Sequence, residues 1–337
     1  MRIAFVTVLV LAAGAVSSAA LIQAKSGKLY GTTTSGGSSA LGVVFRLPAT
    51  VSGDFDGDGK ADMSVYRPST GKWYMLSSGT NYASSGVAWW GLSTDTPVPG
   101  DYDGDGKTDP AVFRPATGAW YILQSGTDYT TSMWLSWGLG TDIPVPADYD
   151  GDGKVDPAVY RPSTGQWLIL TSSSNYAADI VVSWGVSTDV PLQGDYDGDG
   201  KADPAVYRPS TGVWFILKSS TNYTSNIVKA WGLSTDVPVP GDYDGDGKID
   251  PAVYRPSTGQ WYFLNSSNSY ASSGLLWWGV STDIPVPGDY DGDGRTDPAV
   301  FRPSTGQWFI LKSSASYAIY IIVSWGVGTD APINKRP

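Results

Sequence analysis

Two kinds of short run alternate along most of the chain. Segments such as AVY (252–254) and WYFL (261–264) are apolar throughout, whereas DVPVPGDYD (236–244) sets its apolar residues singly among Pro, Gly and Asp. Short apolar runs bounded by Gly and Pro predict strands covered on both faces. Residues 236–283 therefore read as four strands in succession: DVPVPGDYD, IDPAVYRP, QWYFLNSS and GLLWWG. An aspartate-rich loop joins the first two, and STG turns into the third. A Ser/Asn/Tyr-rich stretch leads to the fourth, and VSTD turns into the next unit. Pro256 fixes φ early in its turn and Gly259 supplies a residue able to take positive φ.

This unit recurs. The acidic loop begins at Asp54, Asp101, Asp148, Asp195, Asp242 and Asp289, always 47 residues apart. One tryptophan keeps the same step at Trp73, Trp120, Trp167, Trp214, Trp261 and Trp308. A second keeps it at Trp90, Trp137, Trp184, Trp231, Trp278 and Trp325. An arginine before proline does so at Arg67, Arg114, Arg161, Arg208, Arg255 and Arg302. Four strands in a repeat of about 40–50 residues fit the blade of a β-propeller. The prediction is an all-β fold, a ring of six four-stranded blades over residues 48–333, with Pro48 to Asp54 as the inner strand of the first blade. Gly326 to Ile333 starts a further unit and stops; it is expected to overlap the first blade and latch the ring. A seven-bladed ring, its degenerate blade made from the N-terminal segment and this tail, is the alternative.

Each loop reads D-x-D-G-D-G-x-x-D. The aspartates are Asp54, Asp56, Asp58 and Asp62; Asp101, Asp103, Asp105 and Asp109; Asp148, Asp150, Asp152 and Asp156; Asp195, Asp197, Asp199 and Asp203; Asp242, Asp244, Asp246 and Asp250; and Asp289, Asp291, Asp293 and Asp297. Carboxylates at positions one, three, five and nine, a carbonyl at seven and a turn-permitting glycine at six are the pattern of a calcium loop. Such crowded charge repels itself, and a hard divalent cation converts the repulsion into coordination. Position twelve is valine (Val65, Val112, Val159, Val206, Val253 and Val300) where a helix-flanked loop would place glutamate. The loop is therefore a hairpin clip in which the ninth-position aspartate ligates directly. About six Ca²⁺ in a structural role are expected.

Composition narrows the function. The chain of 337 residues has no cysteine, histidine or glutamate, so all 32 acids are aspartates. The usual nucleophile–base pairs are absent. A net charge of −10 argues against nucleic acid, whose phosphates need a basic face. The start, MRIAFVTVLVLAAGAVSSAALIQA, places Arg2 before an apolar run and then small residues, the pattern of a secretory signal peptide over 1–24. An arm over 25–47 and a tail over 334–337 flank the ring. The mature chain is then extracellular, secreted or on the cell surface, with no membrane span. It lacks disulfides, and the cation loops are its brace.

The repeat GDYDGDGKTDPAVFRPATGAWYIL resembles the FG-GAP and VCBS-type repeats of secreted bacterial proteins, which share the calcium-loop propeller of integrin α-subunit heads. The resemblance runs over about residues 48–333 and implies propeller blades with calcium held between the first two strands. LYGTTTSGGSSALGVVFRL (29–47) looks like one copy of another secreted bacterial repeat, of the LYGTT…GTVF type. The jobs of such proteins are adhesion, ligand binding at cell surfaces and the carrying of other domains.

Both repeated tryptophan series read as packing residues, and the arginine series as partners for aspartate or carbonyl groups. Asp95, Asp142, Asp189, Asp236, Asp283 and Asp330, in S/G-T-D, read as turn formers. Trp89, Trp134 and Trp277 break the pattern on the outer strands and are candidate platforms for sugar rings. The stretch between third and fourth strands is the most variable. Two sequons there, at Asn222 and Asn265, mark candidate glycosylation. The expected function is a non-catalytic extracellular binding or adhesion module for a glycan or protein ligand. A self-associating subunit of a surface layer or fibre, made by strand addition through the N-terminal arm or the tail, is the alternative. A hydrolase would need an asymmetric acidic cleft that this uniform chain does not offer.

Overall fold

The computed structural model describes residues 52–333, together with the backbones of the short strands Thr7–Val8, Ala19–Gln23, Leu29–Thr32 and Val44–Arg46. Those four pair in order as one antiparallel sheet in a separate unit, residues 1–49 with 198–200. The expected leader, arm and tail otherwise lie outside the described residues.

The larger unit is a six-bladed propeller of four-stranded antiparallel sheets, with 3-10 turns as its only helical pieces among the described residues. The second blade shows the plan. Thr96–Pro97 pairs with Ala111–Arg114, that strand with Ala119–Leu123, and the last with Ser132–Ser136. The inner strand is short because its prolines leave few amides for a ladder. The middle strands are buried, and the outer strand alternates between exposed and half-buried positions.

Ring closure corrects one expectation. The first blade takes its inner strand from Ala331–Pro332, which pairs with Tyr66 and Val65, and the Ile333 amide donates to the Ser64 carbonyl at 2.9 Å. That position was expected to fall to residues 48–54, of which 48–51 lie outside the described residues; Gly53 belongs to the hairpin end, its carbonyl accepting the Asp62 amide at 2.8 Å. The reason is chemical. TDAPI at 329–333 repeats the TDTPV and TDIPV of the other inner strands, including the aspartate that binds the blade's arginine, and PATVSGD lacks that Thr-Asp-x-Pro. The tail therefore latches a six-bladed ring, and the seven-bladed alternative falls.

The core lies between blades. Trp73, Trp120, Trp167, Trp214, Trp261 and Trp308 are fully buried, and each indole N–H donates to the carbonyl of the second tryptophan of its own blade at 2.7–2.9 Å. The second series bridges outward: the Trp90 indole donates to the Tyr121 carbonyl of the next blade at 3.0 Å, and Trp325 closes the circle on Tyr74. Position twelve of the acidic loop is explained here. Val112 packs beside Trp73 of the preceding blade, and Val159 beside Trp120. A glutamate there would be buried in hydrocarbon without a partner.

Candidate metal centres

Each acidic loop is a hairpin between the inner strand and its neighbour. Its glycines at positions four and six take positive φ, +83° and +90° for Gly104 and Gly106, a region closed to most side chains. That turn folds the loop's own amides onto its carboxylates. Asp101 accepts the Gly104 amide on Oδ1 at 2.6 Å and the Gly106 amide on Oδ2 at 2.9 Å. Asp109, fully buried, accepts the Tyr102 amide on Oδ2 at 2.9 Å and the Ser125 amide on Oδ1 at 2.7 Å. Asp103 and Asp105 are more open to solvent and each accepts an amide two residues on, at 3.2 and 2.8 Å.

One carboxylate oxygen from each of three aspartates converges within 4.8 Å in these loops. The groups include Asp54, Asp56 and Asp58; Asp101, Asp103 and Asp109; Asp148, Asp150 and Asp156; Asp195, Asp197 and Asp199; and Asp242, Asp244 and Asp246. The ninth-position aspartate joins such a group in the second and third loops, and the fifth-position aspartate in the other three named.

A metal cation fits this donor set on three counts. All donors are oxygens, which suit hard cations. The position-one oxygens, such as those of Asp101, accept one amide each and keep a second lone pair. Asp197 Oδ1 and Asp291 Oδ1, both at position three, are buried without any hydrogen-bond partner. The protein's own cations do little to offset the charge. Lys60 Nζ stands 3.7 Å from Asp58 Oδ2 in a solvent-exposed pair, while the stems of Lys107 and Lys154 lie across Gly57 and Gly104 of the preceding loops.

Burial dominates the electrostatics. It pushes the ninth-position carboxyls up to about 6 in Asp62, Asp109 and Asp156, and to about 7 in Asp203, Asp250 and Asp297, with amide and hydroxyl donors pulling the other way. Burial also raises Asp54, Asp101 and Asp289 at position one, and lifts Asp148 to about 7 and Asp242 to about 6.

A serine after the third strand completes each centre, and the sequence reading passed over it. Ser78, Ser125, Ser172, Ser266 and Ser313 each donate Oγ to the fifth-position aspartate at 2.9–3.1 Å. Their amides and that of Ser219 all donate to the ninth-position aspartate at 2.7 Å. The next residue's amide, from Gly79 through Ser314, holds the third-position aspartate at 3.0–3.3 Å. The signal was the 47-residue step of this serine inside a stretch that otherwise varies. A tyrosine with positive φ recurs there too, from Tyr82 to Tyr317.

The other repeated residues fall as expected. Arg114 forms a bidentate pair with Asp95 at 2.8 Å, and all six arginines do the same with the aspartate of the turn leading into their blade. The aspartate side chains are fully buried, and each also holds its own turn, as Asp95 does through the Leu92 amide at 2.9 Å. Trp89, Trp134 and Trp277 are 75%, 60% and 66% exposed, on the outer strands of the first, second and fifth blades. The structure does not gather them into one site, and Lys72 Nζ covers the Trp89 ring at 3.4 Å. Asn222 is exposed at the end of a 3-10 turn, while Asn265 Nδ2 donates to Ser272 Oγ at 3.1 Å.

The loop, the hairpin and the blade repeat decide the kinship. Residues 54–112 match the FG-GAP-like repeat. The same unit recurs around the six-bladed ring. No curated protein matches it. Among solved structures it is similar to an Agrocybe aegerita lectin that specifically recognises non-reducing terminal N-acetylglucosamine, at 14% identity over 82% of this chain and 76% of that one, TM-score 0.51. A functionally unknown protein from Desulfotomaculum acetoxidans is similar at 11% identity over 80% and 98%, TM-score 0.46. An auxiliary nutrient binding protein from Bacteroides ovatus is similar at 8% identity over 91% and 88%, TM-score 0.44. These likenesses are of fold. Among the described residues, no helix is long and apolar enough to cross a membrane.

Proposed function

We propose that this FG-GAP-repeat propeller is a calcium-stabilised, non-catalytic binding module that works outside the cell on a glycan or protein surface. The observation that carries the reading is the convergence of oxygen-only donors in hairpins that repeat around the ring. Asp101, Asp103, Asp105 and Asp109, and their equivalents in the other five loops, would hold the ions. Calcium suits them because it accepts six to eight oxygens in flexible geometry. When bound, it supplies positive charge that offsets the clustered carboxylates. The loop amides, the serine hydroxyls and the buried ninth-position aspartate orient those carboxylates beforehand.

Catalysis finds no support in these residues. The aspartates outside the loops are tied into turns with arginine partners, apart from Asp128 and Asp179. A rigid ring with outward indoles suits a repetitive surface ligand, and a glycan is the class favoured. A glycan array probed with the calcium-loaded full chain tests this: a defined, chelator-sensitive hit supports it. Silence on glycans together with ordered polymers in electron micrographs would favour the surface-layer or fibre subunit instead. Among the described residues each blade ends in an outer strand with one edge unpaired, and such edges can pair with another chain.

A further inference from the structure

The loops are not isolated from one another. The position-eight amide of every loop donates to the position-one carbonyl of the loop before it. Thr108 N–H reaches Asp54 at 2.6 Å and Val155 N–H reaches Asp101 at 2.7 Å. Ala202, Ile249 and Thr296 repeat the contact on Asp148, Asp195 and Asp242 at 2.6–2.8 Å. Ala61 N–H on the Asp289 carbonyl, at 2.7 Å, closes the circle. A continuous ring of hydrogen bonds thus passes through all six loops.

The link touches the ligating part of each loop. The carboxylate of Asp101 receives the amides of its own turn, while its carbonyl anchors Val155 of the next blade. Val155 stands directly between Lys154 and Asp156, positions seven and nine of that next loop. The Lys154 stem lies against Gly104, where an added Cβ would come within 2.9 Å of its Cε. Fixing Asp101 therefore fixes Val155, the residue between the next loop's carbonyl donor at position seven and its carboxylate donor at position nine.

We infer that the six loops take up their ions as one linked set, each loop being preorganised by its filled neighbour. This rests on the calcium reading above and adds to it that the sites are positively coupled. A neighbour effect of about fivefold or more in affinity is the expected scale. Repulsion between charged loops works in the opposite direction, but near 0.15 M salt it is screened beyond about 8 Å.

Calcium titration of the full metal-free chain in 0.15 M salt, followed by calorimetry with equilibrium dialysis for site count, tests the coupling. The expected isotherm has a Hill coefficient above 1. The variant D148N/D150N, which disables the third loop, should weaken the remaining sites at least about fivefold while removing one. A variant that fails to fold leaves the wild-type isotherm decisive. A Hill coefficient of 1 or below, or five remaining sites of unchanged affinity, overturns the coupling and leaves the calcium reading intact. Absence of binding at millimolar calcium overturns both.

Discussion

Arg67 and Asp330 lie 263 residues apart, yet Nε and Nη2 of the arginine grip the two carboxylate oxygens at 2.7 and 2.8 Å. The same pair at Arg208 and Asp189 spans 19 residues. The arginine–aspartate pair at the seam is thus built like the five internal ones. The Asp330 side chain is fully buried while Arg67 keeps a quarter of its exposure. Removing one partner of a buried pair costs about 3–5 kcal/mol, and the arginine's contact with water reduces this to about 2–3 kcal/mol. Asp330→Ala should destabilise the protein by that amount in urea melts, and Asp189→Ala by a similar amount. A seam variant with no effect would mean that closure does not hold the ring.

Tryptophan substitutions separate volume from hydrogen bonding. Trp167 is fully buried and donates to the Trp184 carbonyl at 2.9 Å. Trp167→Phe keeps much of the packing but strands that carbonyl, a loss of about 1–3 kcal/mol. Trp167→Ala should cost about 3–5 kcal/mol. Chemical denaturation of both variants measures the difference.

The serine buttress is testable in isolation. Ser125 Oγ, with one proton to share, lies 3.1 Å from Asp105 Oδ1 and 2.6 Å from Asp109 Oδ1. Groups that orient metal ligands typically contribute 10–100-fold in affinity. Ser125→Ala should therefore weaken calcium binding at the second loop by about tenfold or more, with little change in the far-ultraviolet circular dichroism spectrum. Calcium titration by calorimetry reads the effect.

Metal-free protein should respond to pH in the sense opposite to most proteins. Burial holds the carboxyls of Asp62, Asp109 and Asp156 near 6 and those of Asp203, Asp250 and Asp297 near 7. An unfolded aspartate titrates near 4, so the folded state binds these protons more tightly. Their contribution to stability is complete below about pH 4 and is lost as pH rises through 6–7. Chelated protein should melt at a lower temperature at pH 8 than at pH 5.5, and saturating calcium should abolish that slope. Scanning calorimetry at both pH values, with and without the ion, checks it.

Much of this was legible beforehand because a 47-residue step exposes every residue that geometry holds fixed. Blade number, the loop aspartates, the buried tryptophans and the arginine–aspartate pairing all follow from side chains that recur. Ser125 and its equivalents were hidden among neighbours that vary, so the stretch read as a free loop. The amide ring through Ala61 and Asp289 left no trace, since backbone groups are the same in every residue. The first inner strand was misplaced for another reason. Residues 48–54 adjoin that blade in sequence, whereas the latch comes from the far end of the chain, where only TDAPI and its aspartate mark the partner.

The most direct test of calcium as the brace is thermal unfolding of the full chain with excess chelator and with saturating calcium. At ten times Kd each site adds about 1.4 kcal/mol by mass action. Six sites together amount to the order of 8 kcal/mol, enough to raise Tm by more than about 10 °C. A shift of that size, specific to calcium, is the expected result. Identical melting curves with and without calcium would contradict it.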